Sequence, residues 1–348
     1  MNEGRAYYYR EFFVPLCGDA VLHLLATCGG RYRLCQREVG LRRPPREDGH
    51  GAVWVRNRVF FDYQALRAEI AGGRVLCVDF GGVYEYHHLH DQPLYIPPLI
   101  SDCNVFEHRP RRFEQKHSGK TGMSTGRGEM VIDIDLDCGP GEYNRELICQ
   151  CGTARKACDA CWVALMQPAH HALIWALRHF MGFSRIFTVF SGRRGFHIWI
   201  CDERMLEMTQ AERVTLAQSL SRPSSCVTPD EFTDGMYAIL APFFDDHPRL
   251  RCRYSGSPLD TVAHREAVFE ALWPRLDLKV SLDALHMRKI PLGLHEETGA
   301  VCLVMNEPDS PNPFLPSKDT LIPALCDRGI LRTRLVESAN VIASIFQK

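Results

Sequence analysis

The N-terminal part of the chain carries apolar side chains at helical spacing, which predicts a helical region over residues 5–30. The apolar positions of this pattern are Phe12, Phe13, Leu16, Val21, Leu24 and Leu25. A short apolar run at residues 75–80 is predicted to be a strand, which the Gly81–Gly82 pair ends. A loop rich in Gly, Ser, Thr and charged residues at 118–128 separates this part from the next.

The middle of the chain changes from helical spacing to alternation of apolar and polar side chains. This alternation predicts three strands, at residues 130–136, 185–190 and 196–201. A helix is predicted between the first two strands, at about 162–181. Pro168 lies inside this helical pattern and indicates a kink or a later helix start, because proline has no backbone N–H to donate.

The remaining segments predict a mixed fold. Helical spacing dominates residues 204–272, interrupted by a loop at 222–229, and a last strand is predicted at 276–282. The order of elements favours an α/β or α+β fold, because strands are followed by a helical insertion and then by a final strand that completes the sheet. The chain has 348 residues and 45% hydrophobic content, so we expect a substantial core and two subdomains. No apolar run reaches about 18 residues, so no transmembrane helix is expected, and the N-terminus does not look like a signal peptide.

Three aspartates are predicted to share one face of an extended segment, two in the strand at 130–136 and one directly after it. Asp133, Asp135 and Asp137 alternate with the apolar residues Ile132, Ile134 and Leu136. Such neighbours lie roughly 7 Å apart and repel one another on a half-buried strand, unless a divalent cation lies between them. Hard oxygen ligands favour Mg²⁺ or Mn²⁺. The alternative is a solvent-facing edge strand without a ligand.

A third acidic position, Asp277, falls in the predicted strand at 276–282, on the same face as Lys279 and Ser281. Two aspartates on one strand and one on another are the minimum set for two-metal phosphoryl transfer. Spacing alone does not bring Asp277 beside Asp133, so their contact is a hypothesis.

A basic glycine turn, Ser191-Gly192-Arg193-Arg194-Gly195, joins two of the predicted strands. Its glycines allow close backbone approach to a ligand, and its arginines offer paired donors for phosphate. His197 follows on the same strand face as Trp199. An ordinary hairpin turn with exposed arginines is the alternative. Together, the acidic strand and this turn predict a binding site for a nucleoside triphosphate.

Four of the fifteen cysteines are clustered, at Cys149, Cys151, Cys158 and Cys161. A C-x-C pair followed by a C-x-x-C pair fits a tetrahedral, structural Zn²⁺ site. Basic residues also cluster at 31–46 and 109–120, where they are candidate contacts for a nucleic-acid template or a partner, or form solvated basic surfaces.

Taken in order, these motifs resemble the catalytic small subunit of archaeal and eukaryotic DNA primases, the eukaryotic branch most of all. The resemblance is carried by Tyr7-Tyr8-Tyr9-Arg10, Gln36-Arg37-Glu38, Asp79-Phe80-Gly81-Gly82-Val83-Tyr84, Asp133 and Asp135, the four cysteines followed by Trp162, the segment Ser191–His197, Arg275-Leu276-Asp277 and the segment Lys289–Gly299. Two features depart from the family pattern. Val39 and Leu41 stand where aromatic residues are usual, and Gly293 stands where serine is common.

The resemblance implies the primase-polymerase fold, with an RRM-like catalytic sheet, a zinc loop and a helical insertion. The catalytic domain would comprise residues 1–203 and 273–320, with the zinc loop at about 138–162. The insertion would be residues 204–272 and the C-terminal tail residues 321–348.

The resemblance also implies residue roles. Asp133, Asp135 and Asp277 would bind the catalytic Mg²⁺ or Mn²⁺ ions. The residues expected to hold the nucleotide are Arg37, Ser191, Arg193, Arg194, His197, Lys289 and His295. Zn²⁺ would be structural, held by Cys149, Cys151, Cys158 and Cys161.

The implied function is DNA-templated synthesis of short RNA primers from ribonucleoside triphosphates, by two-metal-ion nucleotidyl transfer. The implied partners are a primase large subunit with an iron–sulfur cluster, a polymerase alpha-type complex and a single-stranded DNA template. The nucleus is the expected location for a eukaryotic chain. Two alternatives stay open: a non-catalytic nucleic-acid-binding or scaffold subunit that keeps the fold, and a stand-alone primase-polymerase used in damage tolerance.

Overall fold

A computed structural model describes most of the chain in a series of segments. They are residues 2–31, 33–45, 52–72, 75–83, 105–107, 128–136, 143, 158–223, 230–254, 261–283 and 286–347. The predicted zinc ligands Cys149 and Cys151 lie outside them, as do Asp137, the basic cluster at 109–120 and part of the loop at 222–229.

The N-terminal region is helical, as its apolar spacing predicted. It consists of α1 (Asn2–Tyr8), π-helical turns (Tyr9–Cys17) and α2 (Gly18–Thr27). Pro15 lies within the π-helical turns, where the hydrogen-bond ladder already departs from that of an α-helix. A further helix, α3 (Tyr63–Gly72), lies between two strands of the first sheet.

The first sheet has five antiparallel strands in the order β4-β2-β1-β3-β8. They are β1 (Arg37–Arg43), β2 (Val53–Phe60), β3 (Cys77–Val83), β4 (Val105–Glu107) and β8 (Arg288–Lys289). The prediction that Gly81 and Gly82 end the strand was wrong, since β3 runs through both. A Cβ atom on Gly81 would lie 2.6 Å from Glu38 Oε2 and 2.7 Å from Met287 Sδ, so this glycine makes room for neighbouring side chains.

The second sheet has three antiparallel strands in the order β5-β7-β6, and it confirms the three alternating segments. Its strands are β5 (Met130–Asp135), β6 (Ile186–Phe190) and β7 (Gly195–Ile200). Gly195 is required in the register, because a Cβ there would lie 2.0 Å from the carbonyl oxygen of Ile134 on β5. The described part of the chain is therefore a mixed α/β structure with antiparallel sheets.

The helix predicted at about 162–181 is present as one continuous helical segment. It consists of α4 (Asp159–Cys161), π-helical turns (Trp162–Met166), α5 (Gln167–Trp175) and further π-helical turns (Ala176–Phe180). Pro168 is the second residue of α5 and follows a π-helical turn, so its missing N–H falls where the hydrogen-bond ladder changes register.

The helical character predicted for residues 204–272 is also confirmed in the described parts of this segment. Its helices are α6 (Glu203–Glu207), α7 (Gln210–Ser219), α8 (Glu231–Asp246), α9 (Pro248–Tyr254) and α10 (Thr261–Leu272). The strand predicted at 276–282 was wrong. Leu276 makes a single bridge to Ile134, and Leu278–Leu282 then form α11. The Asp277 carboxylate accepts a hydrogen bond from Val280 N at 3.0 Å and caps this helix, so a local cap overrides the alternating pattern.

The second sheet is covered on both faces. Ile132, Ile134 and Ile198 pack into one core with the helical segment after β5 and with the insertion. Val131 and Trp199 pack into another core with the N-terminal helices. The segment 321–348, assigned as a tail, contributes to that second core through α13 (Arg328–Gln347), which follows the short α12 (Pro316–Asp319).

Among the described segments, no helix combines the length and the apolar character needed to cross a membrane.

Candidate active site

The pairing of β5 with β7 places the acidic strand beside the residues that follow the basic turn. Asp133 lies opposite His197, and Asp135 lies opposite Gly195. His197 Nε2 is 3.5 Å from Asp133 Oδ1. The alternation that buries Ile132 and Ile134 therefore turns both carboxylates toward one side of the sheet.

Backbone hydrogen bonds bring Asp277 beside this strand. Asp277 N donates to the carbonyl oxygen of Asp133 at 2.9 Å. In return, Asp133 N donates to Ser281 Oγ at 3.0 Å, one turn further along α11. The contact that the sequence left as a hypothesis is thus present, although Asp277 stands at a helix N-terminus and not on a strand.

The three carboxylates interact electrostatically. Burial, Asp135 and Asp277 together raise the pKa of Asp133 to about 7. Burial and the nearby cations Lys289 and Arg288 lower the pKa of His197 to about 3, so this imidazole is neutral at physiological pH. Asp133 is therefore held among like charges beside a neutral histidine, and a cation would relieve the repulsion.

The donor set fits a hard divalent cation in its chemistry, since all three groups are carboxylates. Each of the outer two already has a partner: Arg194 Nε donates to Asp135 at 2.9 and 3.1 Å, and Val280 N donates to Asp277. In the segments that the structure describes, no group of three or more His, Cys, Asp or Glu side chains converges closely enough to hold a metal ion.

The basic turn is held in shape by several contacts. Gly192 has a φ of +86°, and a Cβ atom on it would lie 2.6 Å from His295 Cβ. Thr298 Oγ1 donates to the carbonyl oxygen of Gly192 at 2.7 Å, and Gly195 N donates to Ser191 Oγ at 3.2 Å. Arg193 forms an ion pair with Glu297 at 3.0 Å.

An open cleft of about 440 Å³ adjoins the turn. Its lining includes Cys158, Gly192, Arg193, Thr298 and Ser317. The turn therefore faces space that a ligand can enter.

Lys289, the last residue of β8, and His295, in the segment after it, approach the same region. His295 Nδ1 accepts hydrogen bonds from the backbone N–H groups of Glu297 at 3.2 Å and Thr298 at 3.3 Å. Burial and the cation of Lys289 lower the pKa of His295 to about 3. Burial would lower the pKa of Lys289, but Asp79, its partner across β3 and β8, raises it overall, so Lys289 stays protonated.

Arg37 is not brought to this group of residues. Its guanidinium is 2% exposed and donates to both carboxylate oxygens of Glu129 at 2.8 Å. It also donates to the carbonyl oxygens of Gly81 and Ala26. Burial would raise the pKa of Glu129, but Arg37 lowers it to about 2. Arg37 thus joins the N-terminal helices to β3 and the start of β5, and its contact with the nucleotide stays a prediction.

Of the predicted zinc ligands, the described part of the chain contains Cys158 and Cys161. They lie one helical turn apart, and Cys161 N donates to Cys158 Sγ at 3.4 Å. The zinc site itself stays a prediction.

Three residues near the carboxylates were not predicted: Glu129, Ser281 as a partner of Asp133, and Arg288. Arg288 is buried and its charge acts on Asp133. Their pairing depends on contacts between segments far apart in sequence, and local spacing carries no signal of it.

Comparison with known proteins places this site in a family. A profile described as DNA primase small subunit matches residues 132–307. The DNA primase small subunit of Saccharomyces cerevisiae is 24% identical over 258 residues, which cover 55% of this chain and 61% of the relative. That of Drosophila melanogaster is 25% identical over 321 residues, covering 72% and 66%. The chain thus spans less than two thirds of the length of these relatives.

Among solved structures, the polymerase domain of Ligase D from Mycobacterium tuberculosis in complex with DNA has a TM-score of 0.44 and 11% identity, covering 100% of this chain and 93% of that one. A similarity at this level carries no argument here.

Proposed function

Because the chain belongs to the DNA primase small subunit family, whose profile covers residues 132–307 of its 348, we propose that it is a catalytic primase subunit. It would synthesise short RNA primers from ribonucleoside triphosphates on single-stranded DNA. The observation that carries the proposal is the docking of Asp277 on β5, which brings a third aspartate beside Asp133 and Asp135 of the sheet that also carries the basic turn.

Asp133, Asp135 and Asp277 would hold Mg²⁺ or Mn²⁺. The bound ions would activate the attacking 3′ oxygen and neutralise the triphosphate and its leaving pyrophosphate. Arg194 supports this arrangement because it lies against Asp135, where its guanidinium can turn to phosphate oxygens near the metal site.

The nucleotide would lie along the basic turn. Arg193, Ser191 and the protonated Lys289 would bind phosphate oxygens. His197 and His295 are neutral, so each would act as a hydrogen-bonding group and not as a fixed charge. The cleft beside Gly192 and Arg193 supplies space for this ligand.

A structural Zn²⁺ would be held by Cys149, Cys151, Cys158 and Cys161. The last two cysteines lie one helical turn apart in a C-x-x-C spacing, which supports this proposal. Because Cys158 also lines the cleft, the zinc loop would brace the wall beside the basic turn.

A small subunit implies a larger partner. We propose that the chain works with a primase large subunit and a polymerase alpha-type complex, in the nucleus if the source is eukaryotic. Arg31, Arg33, Arg42 and Arg43 are described members of the basic cluster at 31–46, which is a candidate contact for template or partner.

The deciding experiment is a de novo priming assay on single-stranded DNA with ribonucleoside triphosphates and Mn²⁺, with and without a large subunit. We expect short RNA products that Asp133→Asn abolishes. If neither mixture yields RNA, and calorimetry finds no Mn²⁺-dependent nucleotide binding, the chain is a non-catalytic subunit. Efficient synthesis without the large subunit, using deoxynucleotides equally well, would favour a stand-alone primase-polymerase.

A further inference from the structure

Arg288 connects the two sheets near the carboxylates. It is the first residue of β8 and pairs with Phe80 on β3, so its backbone belongs to the five-stranded sheet. Its side chain is buried, with the residue 7% exposed. The side chain extends from there to the segment that docks on β5 of the other sheet.

The guanidinium holds the far end of α11. Arg288 Nη2 donates to the carbonyl oxygens of Val280 at 3.0 Å and Asp283 at 2.9 Å. Arg288 Nη1 donates more weakly to the carbonyl oxygen of His286 at 3.4 Å. The last carbonyl groups of a helix have no partners within it, so a buried arginine supplies the donors that they need.

The position of α11 decides where Asp277 stands. The helix has only five residues, too few to be stable without tertiary contacts. Toward β5, Asp277 N and Ser281 Oγ bond to the backbone of Asp133. At the C-terminal end of α11, Arg288 is joined by Gln210, whose Nε2 donates to the carbonyl oxygen of Leu282 at 2.8 Å.

We infer that Arg288 is a positioning residue, which fixes α11 and thereby holds Asp277 against β5 beside Asp133, where the proposed divalent cations would bind. This inference rests on the proposed function. Arg288 contacts neither substrate nor metal in this role. Removing it would let the C-terminal end of α11 move, and the third carboxylate would lose its fixed place.

The test is direct Mn²⁺ binding, followed by electron paramagnetic resonance of the free ion. The variants are Arg288→Met and Arg288→Lys. The control is Arg265→Met, which removes an arginine of similar burial (9% exposed) that pairs with Asp234 in the helical insertion. Melting temperature and steady-state nucleotide addition are measured on the same preparations.

We expect Arg288→Met to weaken Mn²⁺ binding about tenfold, as loss of a group that orients a metal ligand commonly does. At saturating Mn²⁺ its KM for the nucleotide stays near the wild-type value while kcat falls. Arg288→Lys keeps the positive charge, but a lysine cannot reach the carbonyl oxygens of both Val280 and Asp283. We therefore expect its Mn²⁺ affinity to lie between that of Arg288→Met and that of the wild type. Arg265→Met lowers the melting temperature and leaves Mn²⁺ affinity unchanged.

Wild-type Mn²⁺ affinity in Arg288→Met, with a lower melting temperature alone, would overturn the inference and leave Arg288 a structural residue. If Arg288→Met does not fold, Arg288→Lys decides: affinity equal to wild type overturns the inference as well. A wild-type chain that binds no Mn²⁺ and makes no RNA would instead remove the proposed function on which the inference rests.

Discussion

Glu129 directly precedes β5 and Asp133 lies four residues further along, within the strand, yet their surroundings are opposite. Glu129 faces Arg37, which lowers its pKa to about 2. Asp133 faces Asp135 and Asp277, and burial together with these acids raises its pKa to about 7. One carboxylate is thus neutralised within the chain, and for the other the effect of burial and two neighbouring acids outweighs that of the cations Arg288 and Lys289.

The difference distinguishes a charged pair that stabilises the fold from a charged cluster that suits a ligand. A buried charge with a matched partner holds segments together, and losing one member leaves the other uncompensated. A buried charge among like charges destabilises the fold, and such an arrangement is found where a ligand supplies the opposite charge. On this argument the Arg37–Glu129 pair joins segments of the fold, and the Asp133 cluster is the place where we propose a cation site.

The largest effect is expected from Asp133→Asn. Nucleotide addition should fall about 10³-fold, because a metal ligand worth several kcal/mol in the transition state is lost. The unfolding free energy should stay equal or rise, because the repulsion with Asp135 and Asp277 is removed. A priming assay and urea unfolding measure the two quantities. A large loss of stability with activity retained would reverse the roles of the two clusters.

Glu129→Gln should have the opposite outcome. It leaves Arg37 buried without its anionic partner, and we expect the unfolding free energy to fall by about 3–5 kcal/mol. The molecules that stay folded should retain nucleotide addition. As a matched control, Arg37→Met combined with Glu129→Leu should recover much of the lost stability, since replacing a whole buried pair is often near neutral.

The two clusters should also differ in pH dependence. The lowered pKa of Glu129 gives stability that is complete above pH 4.5 and is lost as the pH falls toward 2. The raised pKa of Asp133 works in the other direction, so its ionisation destabilises the fold as the pH rises from 3.8 to about 7. Urea unfolding without divalent cations should therefore show Asp133→Asn most stable relative to wild type above pH 7. If the stability advantage of Asp133→Asn over wild type does not shrink toward pH 4, the proposed repulsion among the carboxylates is contradicted.

The smallest effect is expected from Ser281→Ala, which removes the hydroxyl that accepts from Asp133 N. We expect a loss of about 0.5–1.5 kcal/mol in unfolding free energy, typical of one hydrogen bond. Mn²⁺ binding should weaken less than in Arg288→Met, because Asp277 N still bonds to Asp133 and Arg288 still holds the C-terminal end of α11. Differential scanning calorimetry measures the change in stability, and a Mn²⁺ titration measures the change in affinity.

The parts of the fold that follow from local periodicity could be predicted from the sequence. The alternation of β5 and the glycine turn before β7 placed Asp133, Asp135, Arg193 and Arg194 correctly, because each strand face packs differently. The segment Leu278–Leu282 could not be predicted, since its alternation imitates a strand while the Asp277 cap makes it a helix.

Contacts between residues that are distant in sequence could not be predicted either. Arg37 follows a family motif, yet its position is decided by Glu129, which lies 92 residues away. The role of Arg288 depends on carbonyl groups of a helix that the pattern did not reveal. Such pairings are set by tertiary packing, so spacing along the chain carries little information about them.

The most direct measurement of the central claim is Mn²⁺-dependent stabilisation of the wild-type chain, Asp133→Asn and Glu129→Gln at pH 7.5. A ligand present at 100 times its dissociation constant stabilises a folded chain by about 2.7 kcal/mol. We predict this gain for wild type and for Glu129→Gln, and none for Asp133→Asn. An equal gain in wild type and Asp133→Asn would contradict a cation site built on the β5 carboxylates.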